Sequence, residues 1–315
     1  MASPDYSGWL RLAGGVRLKV YGLAYPAYFV LRKVLTTTGL FRPFRRLLGP
    51  FGGRLLSRIA SNGDRPSVVQ GHVMLLASPG KYPPMALAMD RYEEGTTRLL
   101  RQIIKPGMAV IDAGAHVGYY TLLAARQVGP TGRVYAFEPE PANYDLLLRN
   151  IQRNEYTNIV AVNAALSRGV GQATLYLTGL DNGRHSLFRH GLPQQGSVIV
   201  EITTLDAFLE SEGGTRVDLV KVDVEGSEAD VLKGMEQLLR KPGELKLILE
   251  FNPALLRSVG LDPLQFLNRP ADWGFNVHWI DEKKGPMPLE SVDRVAKVGK
   301  LLNSETSVNL YCSRP

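Results

Sequence analysis

Cysteine is almost missing from this chain: of 315 residues one is cysteine, Cys312. A lone cysteine cannot close an internal disulfide, and nothing around it resembles a catalytic dyad, so it reads as a small buried side chain in a last strand; as a clue to compartment it is neutral to mildly cytosolic. Long apolar runs are missing too. The most apolar early stretch, about Val20–Leu31, is interrupted by Pro26 and falls short of the roughly 20 residues a membrane span needs. It lies late for a signal peptide, carries no small-residue cleavage site and is followed by further arginines, so neither a span nor export is expected. Internal repeats and long low-complexity tracts are absent. Acids are scarce at one end: residues 1–60 carry ten basic side chains against Asp5 alone, a net +9, which leaves −2 for the remainder of a chain whose formal charge is +7. The basicity is therefore an N-terminal property, and an anionic partner is expected for that segment only.

What is present is a packed globule with 44% apolar residues. Three stretches are expected: a basic amphipathic helical segment over 1–62, a connector over 63–103 with a short strand or hairpin at Ser67–Leu76, a Pro79–Pro84 turn and a helix start, and an α/β domain over 104–315. From residue 104 strand and helix signals alternate. The strands are Met108–Asp112, Arg133–Phe137, Ile159–Val162, Ala173–Tyr176, Val217–Val224, Leu245–Phe251, Phe275–Ile280 and Ser307–Cys312. The helices are Tyr119–Val128, Ala142–Arg153, Ser227–Arg240 and Pro263–Trp273. β-Branched runs alternating with amphipathic helices predict a mostly parallel sheet covered on both faces. Ligands of such sheets bind beyond the strands' carboxyl ends, where strand order reverses.

Two features sit at those ends. Ala109-Val-Ile-Asp-Ala-Gly-Ala-His-Val-Gly118 reads as strand, glycine turn, helix. Gly114 and Gly118 permit a tight turn and close approach of a ligand. The spacing differs from the Gly-x-Gly-x-x-Gly that seats a pyrophosphate on helix N–H groups, and Asp112 stands where a phosphate would be unwelcome. A carboxylate there suits a cationic ligand such as the amino group of a methionyl moiety. Glu138 ends the next strand, placed to accept hydrogen bonds from ribose hydroxyls.

With these residues in view, the chain resembles the FkbM family of methyltransferases from about Tyr92 to its C-terminus. The carriers are Lys105–Gly118, Val134-Tyr-Ala-Phe-Glu-Pro-Glu-Pro141, Thr204-Leu-Asp206 and Asp218-Leu-Val-Lys-Val-Asp-Val-Glu-Gly-Ser-Glu228, the last being the most family-specific. His116 departs from the pattern, asparagine being commoner there. The resemblance implies a class I, Rossmann-like methyltransferase sheet, mostly parallel with an antiparallel last strand. It implies S-adenosylmethionine as cofactor and a hydroxyl of a glycan, lipid-linked compound or natural product as acceptor. Asp112 and Gly114 would face the methionine part and Glu138 the ribose. Asn163 and Ala164 would lie near the adenine, and His116 and Gly118 would shape the cofactor turn. Glu94 resembles a family position beside the cofactor, with its neighbour Glu93 as the alternative.

Methyl transfer to a hydroxyl needs in-line alignment and either a proton acceptor or a metal ion. Asp223 and Glu225 alternate on one side of a strand end, with Lys221 two residues earlier on the same side. One reading makes them catalytic, the other a buried ion pair. Glu250, in Leu249-Glu-Phe-Asn252, points to the same rim; it would position substrate or join Asp223 in holding a divalent cation such as Mg²⁺. Base and metal both stay open. His185, in a polar loop, is a further catalytic or substrate candidate, while His72, His190 and His278 read as surface or core.

In the N-terminal segment, Leu40, Phe41, Phe44, Leu47, Leu48, Phe51 and Leu55 recur at three- and four-residue spacing among Arg42, Arg45, Arg46, Arg54 and Arg58. That pattern suits an anionic membrane surface, hence a cytoplasmic protein held peripherally on the inner face. The alternative is a helical cap packed on the core or on a second subunit in a homodimer. No nucleic-acid motif accompanies the arginines. RNA or protein methylation, or a non-catalytic membrane-associated nucleotide-binding module, are the competing functions; the first lacks an Asn-Pro-Pro-Tyr-type motif and the second is at odds with the intact acidic strand ends.

Overall fold

The computed structural model describes residues 66–76, 87, 92–178, 185–189, 194–288 and 307–314. The 1–62 segment, the Pro79–Pro84 turn and His190 lie outside the described residues. The chain divides into two compact units, Met1–Tyr92 and Glu93–Pro315.

In the first unit, β1 (Ser67–Val69) and β2 (His72–Met74) pair antiparallel. The Gln70–Gly71 turn between them has positive φ at both residues, 51° and 77°. Such turns twist in the sense the strands need. The expected hairpin is therefore present, with His72 buried in it.

The second unit opens with α1 (Glu94–Ile103), so the helix start assigned to a 63–103 connector belongs here. β3 (Ala109–Ala113), α2 (Tyr119–Val128), β4 (Arg133–Phe137), α3 (Pro141–Arg153) and β5 (Ile159–Val162) follow. β6 (Ala165–Leu166), β7 (Gly171–Thr178) and β8 (Gln194–Thr203) interrupt the alternation. Then come α4 (Leu205–Ser211), β9 (Leu219–Val222), α5 (Glu228–Lys233), α6 (Glu236–Arg240), β10 (Lys246–Phe251), α7 (Pro253–Ser258), α8 (Pro263–Asp272), β11 (Asn276–Asp281), β12 (Gly285–Pro288) and β13 (Val308–Ser313).

One sheet has the order β12-β11-β13-β10-β9-β3-β4-β5. β5, β4, β3, β9 and β10 pair parallel, and β13 runs antiparallel between β10 and β11. This is the Rossmann-like class I arrangement, with the last strand antiparallel. Strand order reverses between β3 and β9, and the glycine turn and Lys221–Glu225 lie at that point. The strands are mostly apolar because both faces are covered: Ile111, Phe137, Val220, Leu247, Leu249 and Leu310 belong to one core. Cys312 is buried on β13.

Two differences from the sequence-based expectation have clear causes. The helix expected over Ser227–Arg240 is split into α5 and α6 at Gly234–Met235. A Cβ on Gly234 would lie 2.0 Å from the Ser167 carbonyl oxygen, so the chain turns where it packs on β6. The strand expected at Ala173–Tyr176 is part of the longer β7, which pairs antiparallel with β8 in a separate β6-β8-β7 sheet rather than joining the parallel one. That sheet leaves Ile199 and other side chains in solvent, as an antiparallel sheet can and a parallel one does not.

Candidate active site

A cleft of about 550 Å³ opens at the carboxyl ends of β3, β4 and β9, lined among others by Gly114, His116, Glu138, Asn143, Asp223 and Glu225.

The turn after β3 is built from left-handed residues: Gly114 at φ 84°, His116 at 52° and Gly118 at 93°. Gly114 is required for a reason beyond ligand approach. A Cβ there would lie 1.8 Å from the Asp223 main-chain oxygen, so the turns after β3 and β9 touch backbone to backbone. His116 N–H donates to Glu138 Oε2 at 2.8 Å, and Glu140 N–H to Oε1 at 2.9 Å. Both oxygens are thereby oriented, and the Asn143 side chain donates to the same carboxylate, which leaves capacity for a hydroxyl donor. Burial pushes the Glu138 carboxyl up to about 7 against these bonds. Asn163 is exposed and donates to the Glu138 and Pro139 main-chain oxygens at 2.8 and 3.2 Å, so it props the Glu138 loop. Ala164 is buried; its neighbours Ala165 and Leu166 are the ones lining the cleft.

Asp112 does not line the cleft. It is 2% exposed, and its Oδ2 accepts from Thr121 Oγ1 at 2.6 Å. Burial raises its pKa, opposed mainly by Lys221. The Lys221 ammonium is buried between Asp223 (Nζ–Oδ2 2.8 Å) and the Tyr120 ring, whose centroid is 4.5 Å away. Burial alone would depress the Lys221 pKa, but the carboxylates of Asp223, Asp112 and Glu93 outweigh it and hold the ammonium above its ordinary value. Of the two neighbouring glutamates, Glu93 is the one in this cluster. Its Oε2 accepts from Tyr120 Oη at 2.6 Å and from Asn309 Nδ2 at 2.7 Å. Glu94, the sequence-based choice, is exposed at the start of α1, and its neighbour Glu93 is the one turned to the charged cluster. Burial, then Asp223, raises the Glu93 pKa.

Asp223, Glu225 and Glu250 each bring a carboxylate oxygen within 4.8 Å of the others. Burial and the charges of Asp223 and Glu225 push Glu250 well above the ordinary carboxylate range. Glu225 sits at φ 49°, and its main-chain oxygen accepts from the buried Ser186 hydroxyl at 2.6 Å. Ser186 also pairs with Tyr176 of β7. This short strap carries His185 to the cleft. Thr178 N–H donates to His185 Nδ1 at 3.2 Å, which leaves the proton of a neutral ring on Nε2. His185 therefore reaches the cleft as a donor rather than a base. Asn143 and Ser186 had no signal in the sequence, because their roles come from packing on other segments.

The Methyltransferase FkbM domain model matches residues 112–277, just over half of the chain. This chain belongs to the FkbM methyltransferase family. Methyltransferase sdnD of Sordaria araneosa is 31% identical over 159 residues, covering 41% of this chain and 60% of that protein. The hexuronic acid methyltransferase AglP of Haloferax volcanii is 29% identical over 151 residues, 48% of this chain and 59% of that protein. The 31-O-demethyl-FK506 methyltransferase FkbM of Streptomyces tacrolimicus is 28% identical over 160 residues, 42% of this chain and 61% of that protein. The chain thus spans about three-fifths of the length of these relatives.

Within this FkbM-family chain, several of the motifs are scaffold. Thr204 Oγ1 caps α4 by accepting from Ala207 N–H, and the Asp206 carboxylate accepts from Gln237 and Leu238 N–H at the start of α6. Glu228 accepts from Val224 and Gly226 N–H and so closes the turn bearing Glu225. Lys221, Asp223 and Glu225 form the part of the last motif that meets the cleft or its charged wall.

Proposed function

We propose that this chain transfers a methyl group from S-adenosylmethionine to an oxygen of a glycan, lipid-linked or natural-product acceptor. The observation that carries the reading is Asp223, which lines the cleft while clamped by Lys221. The donor set suits the cofactor: Glu138 offers an oriented carboxylate for ribose hydroxyls, and the acidic wall of Asp223 and Glu225 suits a positively charged sulfonium and ammonium. S-adenosylmethionine supplies an electrophilic methyl on sulfur. Glu138 and the Gly114 turn hold and orient, and Asp223 accepts the proton that leaves the acceptor hydroxyl. The hexuronic acid and FK506 methyltransferases match over 48% and 42% of this chain, whereas the protein-L-isoaspartate and tRNA methyltransferases match over 31% or less, which favours the former acceptors.

The test is transfer of labelled methyl to a panel of glycan and lipid-linked hydroxyls, alongside titration with S-adenosylhomocysteine. Wild type is expected to bind S-adenosylhomocysteine and to label an oxygen. Asp223→Asn is expected to lose about 10²–10⁴ in kcat and to weaken S-adenosylhomocysteine, which keeps the ammonium that the acidic wall faces. Label appearing only in RNA or protein, or no binding by folded wild type, would sink the reading.

The arginine- and leucine-rich pattern over residues 40–58 supports peripheral attachment to an anionic membrane, which would bring the site to lipid-linked acceptors. Among the described residues no helix is long and apolar enough to cross a membrane. Co-sedimentation with phosphatidylglycerol vesicles is expected at low salt and not with neutral vesicles. Equal recovery in both supernatants removes this part.

A further inference from the structure

The acidic wall of the cleft extends past it. Asp223 and Glu225 follow β9 and line the cleft, whereas Glu250 lies on β10 behind them. One carboxylate oxygen from each meets the others within 4.8 Å. Two oxygens facing each other across a hard cation with bonds of about 2.4 Å lie that far apart, so the three already fit one coordination sphere. Like charges so close repel, and a fold keeps them together only if something neutralises them.

A separate observation says what that is. Glu250 Oε2 is shut off from solvent and accepts no hydrogen bond from the described residues. The charges it faces are Asp223, Glu225 and Glu228. Ser307 supplies a side-chain hydrogen bond to the same carboxyl. Neighbouring acids are differently placed: Glu228 takes two main-chain N–H groups, and Asp223 Oδ2 takes Lys221. Lys221 is shared with Asp112 and Glu93 as well. A closed-off oxygen among carboxylates, with no donor among the described residues, is the form of a ligand atom awaiting a cation.

We propose that Asp223, Glu225 and Glu250 bind one divalent cation of the Mg²⁺, Mn²⁺ or Ca²⁺ type beside the cofactor cleft. All three are hard oxygen donors, and the set lacks the nitrogen or sulfur that softer metals prefer. Three protein ligands leave coordination positions for water or for an oxygen of the acceptor. The binding itself does not rest on the methyl-transfer reading.

The experiment is titration of the full chain with Mn²⁺, followed by the loss of the free-ion paramagnetic resonance signal, with and without S-adenosylhomocysteine. One saturable site per chain is expected, with Mg²⁺ or Ca²⁺ displacing the Mn²⁺. Glu250→Gln is expected to weaken Mn²⁺ at least about tenfold while S-adenosylhomocysteine affinity stays within about twofold. Without metal, its melting temperature is expected to be no lower than that of wild type, since a repulsive charge has gone. Should Glu250→Gln fail to fold, Glu225→Gln carries the same expected loss. Absence of a saturable site in folded wild type, or unchanged Mn²⁺ affinity in the variants, overturns the proposal. Mn²⁺ binding without S-adenosylhomocysteine binding would leave the metal site standing and defeat the transfer reading instead.

Discussion

Gly114 sits against the main-chain oxygen of Asp223, with no room for a β-carbon between them. The turn that shapes the cleft and the turn that bears its acids therefore hold each other. Gly114→Ala would add an overlap to a left-handed backbone. It is expected to destabilise the fold by about 3 kcal/mol or more and to abolish S-adenosylhomocysteine binding. A thermal melt with a titration checks this; a variant that melts and binds like wild type would show that the two turns can part.

Lys221 is the counter-ion of a buried group of acids. Lys221→Met would leave Asp112, Asp223 and Glu93 facing one another, at a cost of about 3–5 kcal/mol near neutral pH. The sign with pH follows from linkage. Without the ammonium the folded-state pKa values of Asp112 and Glu93, already raised by burial, rise further above their unfolded values, so the folded chain holds protons that the unfolded chain has lost, and stability falls as pH rises. The variant should lie nearer to wild type at pH 5 than at pH 8 in chemical denaturation. A gap that does not change with pH would count against the charge argument.

Glu138 titrates at about 7 in the fold against an ordinary 4.5. Between those values the folded chain carries a proton that the unfolded chain does not, so its share of stability is present at low pH and is lost as pH rises through 7. Glu138→Gln cannot titrate, and its melting temperature should fall less than that of wild type from pH 5 to pH 8. Glu228, also raised to about 7 by burial, keeps part of the slope in both proteins.

Asp206 belongs to a family motif yet stands at a helix start, away from the cleft's lining. Asp206→Ala removes two hydrogen bonds, to Gln237 and Leu238 N–H. A loss of about 1–2 kcal/mol is expected, with S-adenosylhomocysteine affinity unchanged. A selective loss of affinity with normal stability would move Asp206 into the site.

Much of the scaffold was legible because it is local. Tyr119–Val128, Arg133–Phe137 and Ile159–Val162 match their observed elements end to end, since each has a clean period bounded by glycine or polar residues. β8 and α4 were missed: Gln194–Thr203 is a strand of mixed polarity, largely exposed over 196–203, and Leu205–Ser211 is too short to show a helical period.

The sequence by itself determined the alternating α/β order, the buried Cys312, the glycine turn and the family motifs, because composition, periodicity and spacing along the chain carry them. Tertiary structure alone decided which acids meet. Glu93 rather than Glu94 turns inward because Glu93 adopts φ 42° ahead of α1 and reaches Tyr120 and Asn309, more than two hundred residues from the latter in the chain. Glu250 comes beside Asp223 because β10 pairs with β9 in the register Leu249↔Val222, and Gly114 meets Asp223 because Ala113 pairs with Val222. Those pairings join segments about a hundred residues apart in one case and nearly thirty in the other. No local pattern encodes them, since register is set by the packing of whole strands against a shared core.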